Sequence, residues 1–341
     1  MEPIAAVPLF VASVAVTLSA ARLFAKRLDL LGSRFGFPEA LIGLLTALAA
    51  DGPEVASALF ALAKGQHGVG VGVLVGSNAF NLAAMVGLSA MLAGSIRLPQ
   101  ATLLLEGASG SLITLIAVAV LLGWLGPAAA AALAVCVLVP YLALVIGRPR
   151  RLVRWTPLSR LPGRDPPHRP QPDAASQSDA GPKPDAGPKP NASETPSHHL
   201  LGLVVLDVTL IVAGSAGMVQ AALSLGERWH ISAAVLGVLI LAPLTSLPNA
   251  ITAVRLGMAR RGAALVGEAF NSNTINLVAG VLIPSLFVTL TTSTDIAKLQ
   301  LGWLVGMTFA CLVLLAPARG MRRPGAAAIM ILYLAFVGLQ L

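Results

Sequence analysis

The chain has 341 residues, 56% hydrophobic and only 11% charged, with a mean hydropathy of +0.82. A soluble domain carries roughly 25% charged residues, so these proportions exclude a soluble globular protein and predict an integral membrane protein. The net charge of +8 does not point to nucleic acid, because the basic residues sit in short loops between apolar runs, as the membrane orientation rule predicts.

The apolar runs approach or exceed the ~20 residues needed to span as helix. In chain order they fall at about 4–21, 41–63, 69–92, 101–122 and 127–146, then at 200–223, 233–256, 263–290, 299–316 and 326–341. The expected fold is therefore all-α and polytopic, with ten transmembrane helices. The first run lacks an arginine-led leader and a clear cleavage site, so it reads as a retained span. Between the two groups of five, residues 148–199 are rich in Pro, Asp, Ser and Arg and repeat Asp179-Ala-Gly-Pro-Lys-Pro at once from Asp185. Such a composition buries too little apolar surface to order itself and predicts a flexible linker. Cys136 and Cys311 lie inside apolar runs and read as packing residues, not a disulfide.

Loop charges set an orientation. Of the 23 Lys and Arg residues, only Lys64, Arg228 and Lys298 fall on one side. The linker and the other basic loops then face the cytoplasm, and both termini face outward. Five spans per half invert the second half relative to the first. The expected organisation is a first repeat over 1–147, the linker over 148–199 and an inverted second repeat over 200–341.

One stretch carries the chemistry. Ala49-Ala50-Asp51-Gly52-Pro53-Glu54 puts two carboxylates and a proline into the second span, and Pro243-Leu244-Thr245-Ser246-Leu247-Pro248-Asn249 repeats it about 195 residues later. Gly72 matches Gly267, Ser77-Asn78 matches Ser272-Asn273, and Asn81 matches Asn276. Proline lacks an N–H, so Pro53 and Pro248 are expected to break their helices and free the carbonyls of Ala49 and Leu244. Freed carbonyls beside carboxylates are hard oxygen ligands that suit Na⁺ or Ca²⁺. Each buried acid costs at least ~2.5–3.5 kcal/mol on insertion scales, so Asp51 and Glu54, three residues apart, argue for a bound cation or a shared proton. Ser77 with Asn81, and Glu268 with Ser272 and Asn276, form polar stripes on the third and eighth spans. Glu106 and Asp207 are further acids, open between structural roles and an ion path. Trp124, Trp229 and Trp303 read as interface anchors.

At these residues the chain resembles the cation/calcium exchanger superfamily, the sodium/calcium exchanger group, whose halves carry GTS-[LV]-PE-type and GN-x-x-GSN-x-x-N-type motifs. Thr245-Ser246-Leu247-Pro248 and Pro53-Glu54 keep parts of the first motif; Gly72 with Gly76-Ser77-Asn78-Ala79-Phe80-Asn81, and Ser272-Asn273-Thr274-Ile275-Asn276, keep the second. The resemblance implies two inverted five-helix halves and an ion site at Glu54, Ser77, Asn81, Thr245, Ser246, Ser272 and Asn276. Three departures stand out: Asn249 replaces the second glutamate, Asp51 replaces a Ser, and Glu268 replaces an Asn. The acidic set for a metal ion becomes Asp51, Glu54 and Glu268.

The expected function is a secondary active cation antiporter moving Ca²⁺ or a related cation against Na⁺ or H⁺ by alternating access, with one two-helix bundle rocking against the rest. It needs no cofactor; its partners are the lipid bilayer and small inorganic cations. The alternatives are a Na⁺/H⁺ exchanger of the same fold, a degenerate non-transporting membrane partner, a channel and, least supported by the motifs, an intramembrane enzyme.

Overall fold

The computed structural model describes residues 3–35, 45, 47–146, 197–292 and 294–340. The expected linker lies outside these residues up to 196, and residues 197–199 already belong to a helix. The chain runs α1 (Pro3–Arg34), α2 (Gly52–Ala63), α3 (His67–Ala93), α4 (Gln100–Leu121), α5 (Pro127–Ile146) and α6 (Ser197–Trp229). It continues with α7 (Leu236–Met258), α8 (Gly262–Leu277) prolonged through Val278–Leu282 into Ile283–Ser285, α9 (Asp295–Leu315) and α10 (Arg323–Gly338). Seven described helices, α1, α3, α4, α5, α6, α7 and α9, are long and apolar enough to cross a membrane; α2 and α10 are shorter apolar helices. The protein is a multi-pass membrane protein.

Two expectations need correction here. The fold is not wholly α: Ser95–Ile96 pairs antiparallel with Met321–Arg322, tying the end of α3 to the start of α10. Gly94 and Gly320 take φ of 83° and 69° beside these strands, a conformation glycine reaches without steric cost. Trp303 is not an interface anchor. Its Nε1 donates to the Leu332 carbonyl at 3.1 Å, and its ring stacks on Phe336, so it joins α9 to α10.

The layers follow from where the apolar surface goes. Helix α3 is 94% buried over its span window, against 17% for α5, so α3 is the central rod and α5 faces lipid. Gly76 and Gly237 explain how α3 meets α7. A Cβ on Gly76 would stand 2.8 Å from the Val238 carbonyl oxygen, and one on Gly237 would stand 2.6 Å from the Val69 carbonyl oxygen. The two backbones therefore touch, as small residues allow in lipid, where packing replaces the hydrophobic drive. On the flank, α1 and α6 form a long pair closed by the ion pair of Arg27 with Asp207, and Arg27 also donates to the Leu203 carbonyl at 3.2 Å. Asp207 thus has a basic partner on the neighbouring helix.

Helix α3 widens into π geometry over Leu82–Leu88, directly after Asn81. Helix α8 does so over Val278–Leu282, just after Asn276, and α7 over Leu236–Leu241, before its polar stretch. Single π turns re-aim side chains and recur at functional sites; here they flank the polar residues of three helices.

Gly76→Ala tests the backbone contact. Forcing a methyl against the Val238 backbone is expected to cost ~1–3 kcal/mol, read as a lower melting temperature in detergent. An unchanged melting temperature would contradict the close approach.

Candidate functional site

Helix α2 begins at the acidic stretch. Asp51 sits at its N-cap and Glu54 in its first turn, with Pro53 near the helix start. The preceding helical turn ends at Asp51, whose N–H donates to the Ala47 carbonyl at 3.0 Å. A proline is tolerated in a first turn, where its N–H would lack a helical partner anyway, and the positive end of the helix dipole favours acidic side chains there. These two facts hold Asp51 and Glu54 side by side, 1% and 0% exposed.

The partners of these carboxylates come from the other half of the chain. Asn249 on α7 donates through Nδ2 to Asp51 Oδ1 at 2.7 Å and to Glu54 Oε1 at 3.4 Å. Ser272 on α8 donates to Asp51 Oδ1 at 2.5 Å, and its hydroxyl oxygen accepts from Asn249 at 3.2 Å and from Asn81 on α3 at 3.0 Å. Helices α2, α7 and α8 thus meet at one carboxylate pair, and α3 joins them through Ser272.

Beside this cluster, α3 and α8 are joined by asparagines bonded in a reciprocal pattern. Asn78 Nδ2 donates to the Asn273 carbonyl at 3.3 Å, and Asn273 Nδ2 donates to the Asn78 carbonyl at 3.2 Å. Asn81 Nδ2 donates to Asn273 Oδ1 at 3.2 Å, and Asn276 Nδ2 donates to Asn78 Oδ1 at 3.1 Å. Each bond has a counterpart with the two halves exchanged, as a local two-fold relation requires.

Several buried oxygens are left without a hydrogen-bond partner: Asp51 Oδ2, Glu54 Oε2, Ser77 Oγ, Asn81 Oδ1, Ser246 Oγ and Asn276 Oδ1. Ser246 lies near the Glu54 carboxyl, but no bond of normal geometry joins them. Such unpartnered atoms also occur elsewhere, at Thr17, Ser89, Ser111 and Asp207; a buried polar atom without a partner costs ~1–3 kcal/mol, more if charged, so a ligand that meets these six is bound at a gain. All six are oxygen, two of them carboxylate, and a cation such as Ca²⁺ takes its six to eight ligands from oxygen. The donor chemistry fits one.

The predicted residues divide by place. Asp51, Glu54, Asn81, Asn249 and Ser272 share one hydrogen-bonded cluster. Ser77 and Ser246 are buried, and Asn276 belongs to the asparagine set. Thr245 turns its hydroxyl to the Leu241 and Ala242 carbonyls of its own helix at 3.0 and 3.1 Å. Glu268 departs from the expected three-acid set. It stands within electrostatic reach of Asp51 but lines a cavity instead of joining the cluster, and no three acidic, His or Cys side chains converge among the described residues. The reason is its place one turn before Ser272 on α8, where the helix faces open space. The second expected break is also absent: α7 stays helical through Pro248, with its π turn upstream and the Thr245 hydroxyl on nearby carbonyls. Asn78 and Asn273 were missed as site residues, although the doubled Ser-Asn pair carried the signal.

The cavity measures about 1200 Å³ and is lined by Ala47, Ala50, Pro248 and Glu268 near the cluster, and by Arg22, Lys26, Arg255 and Arg261 elsewhere. It links the cluster's immediate neighbours to helix ends rich in basic residues.

The family model for "Sodium/calcium exchanger protein" matches residues 5–148 and 199–341. The chain belongs to the sodium/calcium exchanger protein family. The exchanger is accordingly a transporter and not an enzyme. It is 31% identical over 87 residues to a protein of Alkalimonas amylolytica named "Putative antiporter CaxA", a match spanning 25% of this chain and only 27% of that relative. Among solved structures, it resembles the H⁺/Ca²⁺ exchanger CAX (TM-score 0.69, 15% identity, covering 97% of this chain and 81% of that one). It also resembles native YfkE (0.65, 16%, 98% and 92%) and the sodium-calcium exchanger NCX_Mj (0.59, 18%, 99% and 99%). At these identities the likeness is one of fold. The match on both sides of 149–198 sets that segment apart from the family's membrane body.

In this exchanger, Asn78→Ala and Asn273→Ala each remove reciprocal bonds and are expected to cost ~1–3 kcal/mol. The double variant should cost less than the sum by ~0.5 kcal/mol or more. Strictly additive thermal destabilisation would contradict the paired geometry.

Proposed function

We propose that this exchanger is a secondary active antiporter that carries Ca²⁺ across the membrane against Na⁺ or H⁺ by alternating access. The observation that carries the reading is the convergence of Asp51 and Glu54 with Ser272, Asn249 and Asn81 on four helices from both halves, with further carboxylate, amide and hydroxyl oxygens buried without partners on the same four helices. In this reading Asp51 and Glu54 supply the charge, while Ser77, Asn81, Ser246, Asn249 Oδ1 and Ser272 supply neutral ligands. The Asn249 amide, which now points its N–H groups at both carboxylates, turns its oxygen inward as the ion arrives. Glu268 serves as an outer acid that draws the cation from the cavity toward Asp51.

The reading includes ten spans in two inverted five-helix repeats, 1–147 and 200–341, with the segment from 148 to the start of α6 at Ser197 as a tether. The reciprocal asparagine bonds and the matched π turns after Asn81 and Asn276 support it. The cavity shares its side with Arg22, Lys26, Arg255 and Arg261, so the orientation rule makes it an inner vestibule and this conformation an inward-facing one. The moving body is the α1–α6 pair, fastened by Arg27 and Asp207. Alternating access about a two-fold axis in the membrane plane suits such repeats.

A Na⁺/H⁺ exchanger is the second reading. It is favoured by Asn249, which removes one acid from the position where the family's second glutamate stands and leaves a site of lower charge.

The test is purified protein in liposomes with Ca²⁺, Na⁺ and pH gradients imposed one at a time. Calcium flux driven by a counter-gradient is expected, and Glu54→Gln should abolish it while leaving a folded, monodisperse protein. Asn249→Glu should raise Ca²⁺ affinity at least several-fold, since it adds a carboxylate against the ion. Sodium-driven proton flux without Ca²⁺ movement would select the second reading, and undiminished flux in Glu54→Gln would remove Glu54 from the site.

A further inference from the structure

A second polar cluster lines the cavity and adjoins the cation site through Asn271, the residue before Ser272. Glu106 on α4 is 9% exposed, and its Oε2 lies 3.0 Å from the Tyr141 hydroxyl of α5. The same hydroxyl lies 2.6 Å from Asn271 Oδ1 of α8. Glu106, Tyr141 and Asn271 all line the 1200 Å³ cavity. Gly267 leaves room beside Glu106; a Cβ there would stand 3.7 Å from Oε1.

Counting protons fixes the arrangement. A phenol has one proton, yet Tyr141 meets two oxygens. A contact of 2.6 Å falls in the range of O–H···O bonds and below that of N–H···O bonds, so the atom facing Tyr141 is the amide oxygen of Asn271 and Tyr141 donates to it. The lone pair that Tyr141 then offers Glu106 needs a donor, and the donor available is a protonated Glu106 Oε2. Asp207 shows the contrast: that acid is buried against Arg27, whereas no basic side chain lies within ion-pair distance of Glu106 among the described residues.

The surroundings on each packed element are consistent. The same cavity is lined by Arg22, Lys26 and Asp29 of α1, Arg255 of α7, Arg261 at the N-cap of α8, and Glu268 of α8 next to Gly267. Helix α5 brings Tyr141. Helix α9 packs on α4 through Leu312 at Gly107 and carries Asp295 and Lys298 in its first turn. That turn is remote, because the start of α4 meets the end of α9 through Gln100 and the Ala316 carbonyl.

We propose that Glu106 is a proton-binding site of the vestibule, with Tyr141 and Asn271 as its positioning residues, holding one proton in the conformation seen here and exchanging it with water in the cavity. The inference deepens the antiport reading by giving the cycle a proton site separate from Asp51 and Glu54. The hydrogen-bond argument for the proton does not itself depend on which cation is carried.

The experiment is an infrared difference titration of the purified full-length protein in lipid, following the protonated-carboxyl stretch as pH is raised, alongside liposome flux. The wild type should show a carboxyl band that Glu106→Gln deletes while the protein stays monodisperse. Tyr141→Phe should move the midpoint of that band to lower pH by about half a unit or more, the worth of one buried hydrogen bond accepted from the acid. Spectra of wild type and Glu106→Gln that superimpose would overturn the proposal. So would a Tyr141→Phe midpoint that stays put or moves to higher pH, which would mean that Tyr141 donates to a carboxylate. Liposome flux keeps the two readings apart: an intact Glu106 band with no cation flux in the wild type would sink the antiport reading alone, and normal flux with no Glu106 band would sink this one alone.

Discussion

The structure depends on keeping two carboxylates, Asp51 and Glu54, out of water inside a membrane body. Their burial is expensive unless donors or cations answer them. The chain answers with the start of α2, whose dipole favours negative charge, and with Asn249 and Ser272 from the other half of the sequence. Much of the remaining architecture serves that meeting. Gly76 and Gly237 bring α3 and α7 into backbone contact, and the asparagines join α3 to α8. The π turns re-aim the helices beside the site.

The site is symmetric in its frame and asymmetric in its charge. Asn78 and Asn273 exchange bonds as equals, and the bond of Asn81 to Asn273 is matched by that of Asn276 to Asn78. The carboxylates do not: both central acids come from α2, and α7 contributes an amide. An amide between two carboxylates is a hydrogen-bond donor in one orientation and an oxygen ligand in the other. It can therefore satisfy the acids before an ion arrives and turn to the ion afterwards. Glu268 restores an acid to the second half at a new place, on the cavity wall. Negative charge is thus spread from the cluster toward the cavity.

Much of this was legible in the sequence because the signals were local or doubled. Seven described helices long and apolar enough to cross announced themselves by hydropathy, and α5 matches its expected bounds. The acidic stretch was visible because charge is rare in apolar sequence, and its partner was visible because the pattern recurs. Harder to read was anything decided by rotation about a helix axis. Spacing put Glu268 on one stripe with Ser272 and Asn276, yet the stripe is wide enough for Glu268 to face the cavity while Ser272 faces Asp51. Pro248 signalled a break that α7 absorbs. The bond of Tyr141 to Glu106 joins residues on neighbouring helices with no shared motif, and the short strand pair has too few residues to leave a pattern.

The central claim is that a cation sits among the oxygens of Asp51, Glu54 and Ser272. The most direct measurement is anomalous diffraction from crystals soaked in Sr²⁺, a heavier stand-in for Ca²⁺. The account predicts a peak bounded by Asp51, Glu54, Ser77 and Ser272, with the Asn249 amide oxygen turned toward it. A peak confined to the vestibule beside Glu268, with Asn249 still donating to both carboxylates, would contradict it.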